Sequence, residues 1–288
     1  MKNILLTGGT GFLGSHLAYR LYQNYQLILL KRSFSNPWRI SDIPDNVLCY
    51  DIDKTPINRV FEENRIDAVI HTATCYGRKG ESITDIVNAN IVFPLKLAEL
   101  AIRFNTDTFF NTDTIAYKYL NSYSLSKKQF LEWLKQCSDK IRIVNMKLEH
   151  IYGPKDDENK FVSFVIRRML KNEVLDLTPG EQKRDFVFID DVVNAYIKIF
   201  EEPFVSEPFS EFEIGTGQSV TVKDFVKKIH KYINSGSLLN FGAIPYRENE
   251  IMESEADISK MTDMSWNPRV SLEEGIHSTV DYEISREQ

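Results

Sequence analysis

An α/β architecture, a doubly wound parallel sheet followed by a smaller C-terminal α/β lobe, is what this sequence predicts, on three observations. An apolar run, Ile4-Leu5-Leu6, stops at Thr7 and is followed by Gly8, Gly11 and Gly14. A helical pattern starts at once, with Leu13, Leu17 and Leu21 on one face. Up to about residue 150, short apolar runs alternate with longer amphipathic ones, the rhythm of a parallel sheet covered by helices on both faces.

Strands are expected at Ile4–Leu6, Leu27–Leu30, Val47–Tyr50, Ala68–Ile70, Thr108–Asn111 and Ile141–Met146. Helical patterns separate them at Gly14–Gln23, Pro56–Asn64, Ile83–Phe104 and Ser124–Gln136. Right-handed crossovers between such elements give the Rossmann order. A buried strand, a glycine turn and a helix N-terminus in succession make a site for a dinucleotide pyrophosphate. Gly8 allows the tight turn, Gly11 lets the backbone approach the phosphates, and Gly14 lets the helix pack close to the strand. After Tyr152-Gly153-Pro154 the rhythm changes. A charged loop (Lys155–Lys160) precedes a helix at Phe161–Lys171, strands at Val174–Leu177 and Asp185–Ile189, and helices at Val192–Glu201 and Val222–Tyr232, with a polar turn at Gly215-Thr216-Gly217. The last forty or so residues read as irregular, with Trp266-Asn267-Pro268 as a packing anchor. Two domains follow: residues 1–150 for the dinucleotide and 151–288 as a lobe at the carboxyl edge of the sheet, where such folds bind substrate.

Composition excludes several classes. With 288 residues, 42% hydrophobic and 26% charged, the chain can bury a full core. A net charge of −6 offers no basic field to nucleic acid. No apolar run approaches the roughly 18 residues that span a bilayer, and the start reads as a core strand, not a signal peptide. The cysteines, Cys49, Cys75 and Cys137, are odd in number and lack CxxC spacing, which reads as reduced, buried thiols in a cytoplasmic protein. The five histidines show no ligand spacing, so no metal is expected.

The chemistry is signalled by Tyr123-Ser124-Leu125-Ser126-Lys127, which puts a tyrosine and a lysine on one helix face. A phenol near pKa 10 is a poor acid at neutral pH, and a nearby ammonium brings it closer to the useful range. Together with Gly8-x-x-Gly11-x-x-Gly14, Thr112 at a strand end, Ile151-Tyr152-Gly153-Pro154, and Arg184-Asp185-Phe186 leading to Asp190-Asp191-Val192, the sequence resembles the extended short-chain dehydrogenase/reductases of the NAD-dependent epimerase/dehydratase family, which modify nucleotide sugars. The motifs run across almost the whole chain. The resemblance implies Tyr123 as general acid/base, Lys127 as the residue that lowers its pKa and binds the nicotinamide ribose, and Thr112 as donor to the same sugar oxygen. It implies Thr7, Gly8, Gly11, Phe12, Leu13 and Gly14 at the pyrophosphate, Asp51 and Ile52 at the adenine, and Ala73 beside the cofactor. At the substrate it implies Asn90, with Arg184 at the diphosphate and Arg247 with Glu250 at a second diphosphate and nucleoside-ribose contact. It also implies a homodimer, through helices near Ile83–Phe104 and Ser124–Gln136.

Departures from the family narrow the reaction. Sugar 4,6-dehydratases carry Thr-Asp-Glu where this chain has Thr112-Asp113-Thr114; threonine does not abstract a carbon-bound proton at neutral pH, and Thr114 is instead expected to face substrate. The second strand ends in Lys31-Arg32-Ser33 rather than an acidic residue, which favours NADP(H) over NAD(H). The connection Tyr117–Ser122 is short, which opens the sugar pocket, and His150 stands where relatives place an asparagine before Tyr-Gly-Pro. The stretches Tyr123–Leu134 and Leu148–Pro154 look most like reductases of the CDP-abequose/CDP-paratose synthase type. The expectation is therefore an NADPH-dependent reductase of a CDP- or dTDP-linked 4-keto-deoxysugar, with an NAD-dependent nucleotide-sugar 4-epimerase as the alternative. A non-catalytic dinucleotide sensor fits less well, because both Tyr123 and Lys127 are present.

Overall fold

The computed structural model describes residues 1–202 and 207–287, so residues 203–206 and the last residue of the expected 151–288 lobe lie outside the described residues. The chain forms two units, one of residues Met1–Lys147 with Ile199–Phe212, the other of Leu148–Lys198 with the residues from Glu213 onward.

In the first unit β1 (Asn3–Thr7) lies inside a seven-stranded sheet, and Ile4, Leu5 and Leu6 are all fully buried. Helices over both faces explain why its apolar run is continuous rather than alternating. Helix α1 (Phe12–Leu21) returns the chain to β2 (Gln26–Lys31), which leads to the short β3 (Leu48–Asp51). Next come α2 (Ile57–Glu63), β4 (Ala68–His71), α3 (Ile83–Val87), α4 (Phe93–Arg103), β5 (Thr108–Thr114), α5 (Ser122–Lys135) and β6 (Arg142–Leu148). With β11 (Phe209–Ile214) the sheet order is β11-β6-β5-β4-β1-β2-β3, the doubly wound order that the sequence predicts plus one edge strand. Strands β1/β2, β1/β4, β2/β3 and β4/β5 pair in parallel. One face packs Leu5, Ile28, Val69 and Phe109 against Leu97, Ala101, Phe130 and Leu134 of α4 and α5.

Three details place the site. Strand β5 runs to Thr114, beyond the register pair His71↔Asn111 that ends β4, so Thr112, Asp113 and Thr114 extend past the neighbouring strand. The helix expected at Ile83–Phe104 is one path interrupted by a π-helical stretch, Asn88–Val92, between α3 and α4. Such a π-turn rotates the register and re-aims its side chains. Strand β3 sits at the sheet edge, which leaves Cys49 exposed; Cys75 and Cys137 are half-buried, so the expected buried thiols are corrected to free thiols that meet the surface.

In the second unit β7 (His150–Tyr152) and β10 (Phe186–Phe188) pair in parallel, β9 (Lys183–Arg184) pairs antiparallel with β12 (Val220–Thr221), and β8 (Leu175–Leu177) pairs in parallel with β13 (Leu239–Phe241). The helices are α6 (Phe161–Leu170), α7 (Ile189–Glu201), α8 (Val222–Ile233), α9 (Ser259–Asp263) and α10 (Leu272–Glu287). Trp266 is buried, as expected of an anchor. The C-terminal stretch is not irregular. Ser271 and Glu274 form a reciprocal capping box, Glu274 N–H to Ser271 Oγ at 3.3 Å and Ser271 N–H to Glu274 Oε2 at 2.9 Å. The buried face of α10 is Ile276, Thr279, Val280 and Glu283. Two of these four are polar, which hides the helical period from a reading of apolar residues alone. No helix among the described residues is long and apolar enough to cross a membrane.

Ile276 is 1% exposed on α10. Its replacement by Ala is expected to cost about 2–5 kcal/mol of stability, read as a lower urea midpoint; a loss within experimental error would show that α10 is not part of the cooperative fold.

Candidate active site

The turn after β1 is built by close approach. Gly8 has φ +72°, and a Cβ there would lie 2.6 Å from Thr72 Oγ1 and 2.7 Å from Ala73 N. At Gly14 a Cβ would stand 2.1 Å from the Gly8 carbonyl oxygen. Only glycine lets α1 come this near to the strand end. The helix is capped by Gly11 with no side-chain hydrogen bond and no acidic residue in its first turn, so the N–H groups at Phe12, Leu13 and Gly14 face an anion-favouring end. This cradle, which a Cβ would fill, fits a dinucleotide pyrophosphate. Beside it, the Thr7 hydroxyl meets His71 Nδ1 at 2.8 Å and accepts the Ala73 N–H at 3.2 Å, while Thr72 Oγ1 donates to the Thr7 carbonyl at 2.7 Å. Thr7 and Ala73 are thus locked together at the ends of β1 and β4. His71 is completely buried, and burial holds its imidazole well below the usual range, so it is neutral at physiological pH.

At the end of β2 the two expected cations are not isolated. Arg32 Nε donates to Asp53 Oδ1 at 2.6 Å, and Lys31 Nζ lies 3.9 Å from Asp51. Ser33 Oγ donates to Asp51 at 2.6 Å and, with the nearby lysines, keeps that carboxyl below its ordinary range. Ile52 is half-buried behind Asp51, and its N–H donates to the Lys31 carbonyl at 2.9 Å. The sequence showed the cations but not these carboxylates, because the parallel register Lys31↔Asp51 is what brings them together.

On α5, Asn121 caps the helix by accepting the Ser124 N–H at 2.9 Å. Tyr123 is half-buried and Lys127 is 2% exposed. Burial pushes the Lys127 ammonium down to about 8; Asp113 opposes that shift and Lys128 adds to it. At pH 7 the group is therefore still mostly cationic. Tyr76, which the sequence reading missed, lays its ring 4.8 Å from that of Tyr123 at 36°, and the Arg78 guanidinium lies 5.3 Å from the Tyr76 ring. Nothing local in the sequence marks Tyr76, since it is brought there by the loop after β4. Thr112 and Thr114 are half-buried and Asp113 is buried between them, as strand alternation requires.

Asn90 corrects an expectation. Its Oδ1 accepts from Cys75 N at 2.7 Å and Thr74 Oγ1 at 3.2 Å, and its Nδ2 donates to the Cys75 carbonyl at 2.8 Å and Ser126 Oγ at 2.9 Å. At 1% exposure its amide has both edges satisfied within the protein, so it ties the loop after β4 to α5 rather than contacting a substrate.

In the second unit Arg184 and Glu250 come together across 66 positions, Nη2 to Oε1 at 2.5 Å, with Arg184 Nη1 donating to the Lys183 carbonyl at 2.7 Å. Arg247 is exposed, one turn before Glu250, whose N–H donates to its carbonyl at 3.1 Å. His150 is exposed, and its Nδ1 meets Glu149 Oε2 at 3.0 Å. Glu149 is buried and also accepts from Ser254 Oγ at 2.6 Å; the sequence reading gave it no role. Asp185 is fully buried and accepts from Thr216 N and Oγ1, Gly217 N and Ala256 N, which pins the Gly215–Gly217 turn. Among the described residues no His, Cys, Asp and Glu side chains gather to hold a metal.

A doubly wound sheet with a glycine cradle after β1 and a Tyr–Lys pair on the helix after β5 defines a dinucleotide-dependent enzyme class. A family model described as the NAD dependent epimerase/dehydratase family matches residues 4–215. The chain belongs to that family, as the resemblance implied. It is 37% identical over 285 residues to a CDP-abequose synthase of Salmonella muenchen, covering 96% of each chain, and 37% identical to that of Salmonella typhimurium, covering 95% of each. Among solved structures it is similar to a UDP-glucose 4-epimerase of Thermotoga maritima bound to UDP-glucose, at TM-score 0.88 and 26% identity, covering 99% of this chain and 100% of the other. A UDP-glucuronic acid 4-epimerase of Bacillus cereus, solved with UDP-glucuronic acid and NAD, matches at TM-score 0.86 and 23% identity over 99% of each chain, a likeness of fold.

Lys127 titrates near 8 in the folded chain and near 10.5 when unfolded. A depressed lysine costs stability below pH 8, and the cost fades as pH rises towards 10.5. Lys127→Met is therefore expected to stabilise the cofactor-free protein at pH 7 by up to about 3 kcal/mol, with the gain shrinking between pH 8 and 10.5. Urea titrations of both proteins across that range check it.

Proposed function

We propose that the chain catalyses NADPH-dependent reduction of a nucleotide-linked 4-keto-deoxysugar, carried on CDP or dTDP, with Tyr123 as general acid. The observation that carries this reading is the 37% identity to CDP-abequose synthases over nearly the whole of both chains. The residues at the sheet's carboxyl end fit it. Thr7, Gly8, Gly11, Phe12, Leu13 and Gly14 hold the pyrophosphate, Asp51 and Ile52 meet the adenine, Ala73 lies alongside, and Lys127 takes the nicotinamide ribose. When bound, the dinucleotide supplies hydride to the carbonyl carbon.

What the chain's own residues do follows from their chemistry. Tyr123 gives its phenolic proton to the sugar oxygen as negative charge develops there. Thr112 donates its hydroxyl to the same oxygen, sharing that charge. The Lys127 cation favours the phenolate that remains, and lowers the barrier to proton release. Asp113 is an unsuitable acid for water loss, because its oxygens accept from Lys128, Asn145 and the Thr114 N–H. With Thr114 in place of a glutamate, these contacts support reduction over dehydration. In the second unit Arg184 and Arg247 suit a diphosphate, since a guanidinium fork meets phosphate oxygens bidentately. Arg184 would exchange Glu250 for phosphate, freeing that carboxylate for a ribose hydroxyl. His150 and Thr114 are the remaining substrate contacts in this reading.

A specific observation favours the second reading, an NAD-dependent nucleotide-sugar 4-epimerase. Asp51 and Asp53 sit among Lys31 and Arg32, so a 2′-phosphate would meet two carboxylates as well as two cations.

Fluorescence titration with NADPH and NADH separates the two. A preference of about tenfold or more for NADPH, about 1.4 kcal/mol, is expected for the reductase. NAD that survives purification, with sugar interconversion in the absence of added cofactor, would establish the epimerase. Tyr123→Phe is expected to lower kcat by about 10²–10⁴-fold with cofactor affinity retained; full activity in that variant would remove Tyr123 from the chemistry.

A further inference from the structure

Next to the Tyr–Lys pair, a second lysine fastens α5 to the strand end that carries both threonines. Lys128 Nζ donates to Asp113 Oδ2 at 2.9 Å and to the Thr114 carbonyl at 2.6 Å. The Asp113 side chain is completely buried and that of Lys128 is 18% exposed. Asp113 Oδ1 accepts the Thr114 N–H at 2.8 Å, and Oδ2 also accepts from Asn145 on β6 at 3.2 Å. Asn145 in turn donates to Glu211 at 2.8 Å and accepts from Asn111 at 2.7 Å. The network runs through β5, β6 and β11, with Asn111 Oδ1 left without a hydrogen-bond partner at its far end, and Lys128 reaches it from the helix.

We propose that Lys128 is a positioning residue for the reaction: by gripping Asp113 and the Thr114 carbonyl it sets Thr112 and Thr114 against the helix that carries Tyr123 and Lys127, and keeps Asp113 from acting on the substrate. This rests on the roles given above to Thr112, Tyr123 and Lys127. The physical reason is that a buried carboxylate needs a cation. Without Lys128, the nearby cation left to Asp113 is Lys127. Asp113 already favours the charged form of Lys127, while Lys128 disfavours it. Two further titratable groups belong to this setting: the Lys127 charge helps to keep the buried His71 neutral, and Tyr123 stands one turn before Lys127 on the same helix. Losing Lys128 therefore does two things: it loosens the strand end, and it makes Lys127 hold its proton to higher pH.

The test compares Lys128→Met, Lys128→Arg, the double variant Lys128→Met/Asp113→Asn, and Tyr123→Phe. The assay uses a CDP-linked 4-keto-6-deoxyhexose with NADPH. Lysine titration in the cofactor-free protein is followed by carbon-13 NMR of Cε-labelled lysines. Lys128→Met is expected to lower kcat by about tenfold to a hundredfold with KM nearly unchanged, as misplacement of reacting groups does. The Lys127 titration should move up by roughly half a pH unit or more. Lys128→Arg, which can still reach both acceptors, should recover most of kcat. A folded Lys128→Met protein with unchanged kcat and unchanged Lys127 titration overturns the inference. If Lys128→Met does not fold, the double variant strands no charge and decides instead. A loss of kcat there supports the tie between strand and helix, and wild-type kcat refutes it. An inactive Tyr123→Phe beside a normal Lys128→Met refutes only the role of Lys128, whereas an active Tyr123→Phe refutes the reading on which that role rests.

Discussion

A lysine ammonium held out of water is the constraint on which the first unit's active end depends. Lys127 is 2% exposed, and burial pushes its ammonium down to about 8. At about 8 it is still mostly cationic at neutral pH, and Asp113, buried at the end of β5, favours that charged form. Asp113 is itself fixed by three hydrogen bonds, from Lys128 Nζ, Asn145 Nδ2 and the Thr114 N–H. A buried charge is tolerated only when its partners are fixed, and these partners come from β5, α5 and β6. The polar cluster therefore explains why the end of β5 must extend past β4.

The same economy governs the turn after β1. Backbone approaches backbone where Gly14 meets the Gly8 carbonyl, so the N-terminal N–H groups of α1 are aimed by packing rather than by a capping side chain. Thr7 carries both jobs, as the last buried residue of β1 and as acceptor for the Ala73 N–H. Asn90, turned inward by the π-helical stretch, fixes the following loop to α5. These contacts tie the segments that follow β1 and β4 to neighbouring strand ends and helices. Rigid strands thereby deliver loop residues to defined places.

In the second unit a comparable arrangement of charge is seen around Arg184. Its guanidinium is buried against Glu250, and the nearby Glu149 is buried with His150 and Ser254 as partners. Arginine keeps its charge in such a setting, where lysine loses it more readily. Asp185, next along the chain, serves a different purpose, since its oxygens collect backbone N–H groups and hold a turn.

Local pattern alone determined the strand–glycine–helix start, the six strands up to Met146 and the helix that carries Tyr123 and Lys127, while the family rested on the resemblance of its motifs. These were legible because a buried parallel strand is a continuous apolar run and an amphipathic helix repeats every three or four residues. Where buried positions are polar, as at Thr279 and Glu283 of α10, that signal vanished and the helix was missed. The edge strand β11 was missed too, because Glu211 and Glu213 interleave with Phe212 and Ile214. Pairings across the chain were decided only by tertiary structure. The register of β2 with β3 set Lys31 beside Asp51, and the turn of α5 set Lys128 on Asp113. Asn90 was singled out by the family resemblance, but its four hydrogen bonds go to Thr74, Cys75 and Ser126, 15 to 36 positions away, and occupy both edges of its amide. A side chain's chemistry is written in the sequence, whereas its charge state and its free hydrogen-bonding edges depend on which distant groups the fold places around it.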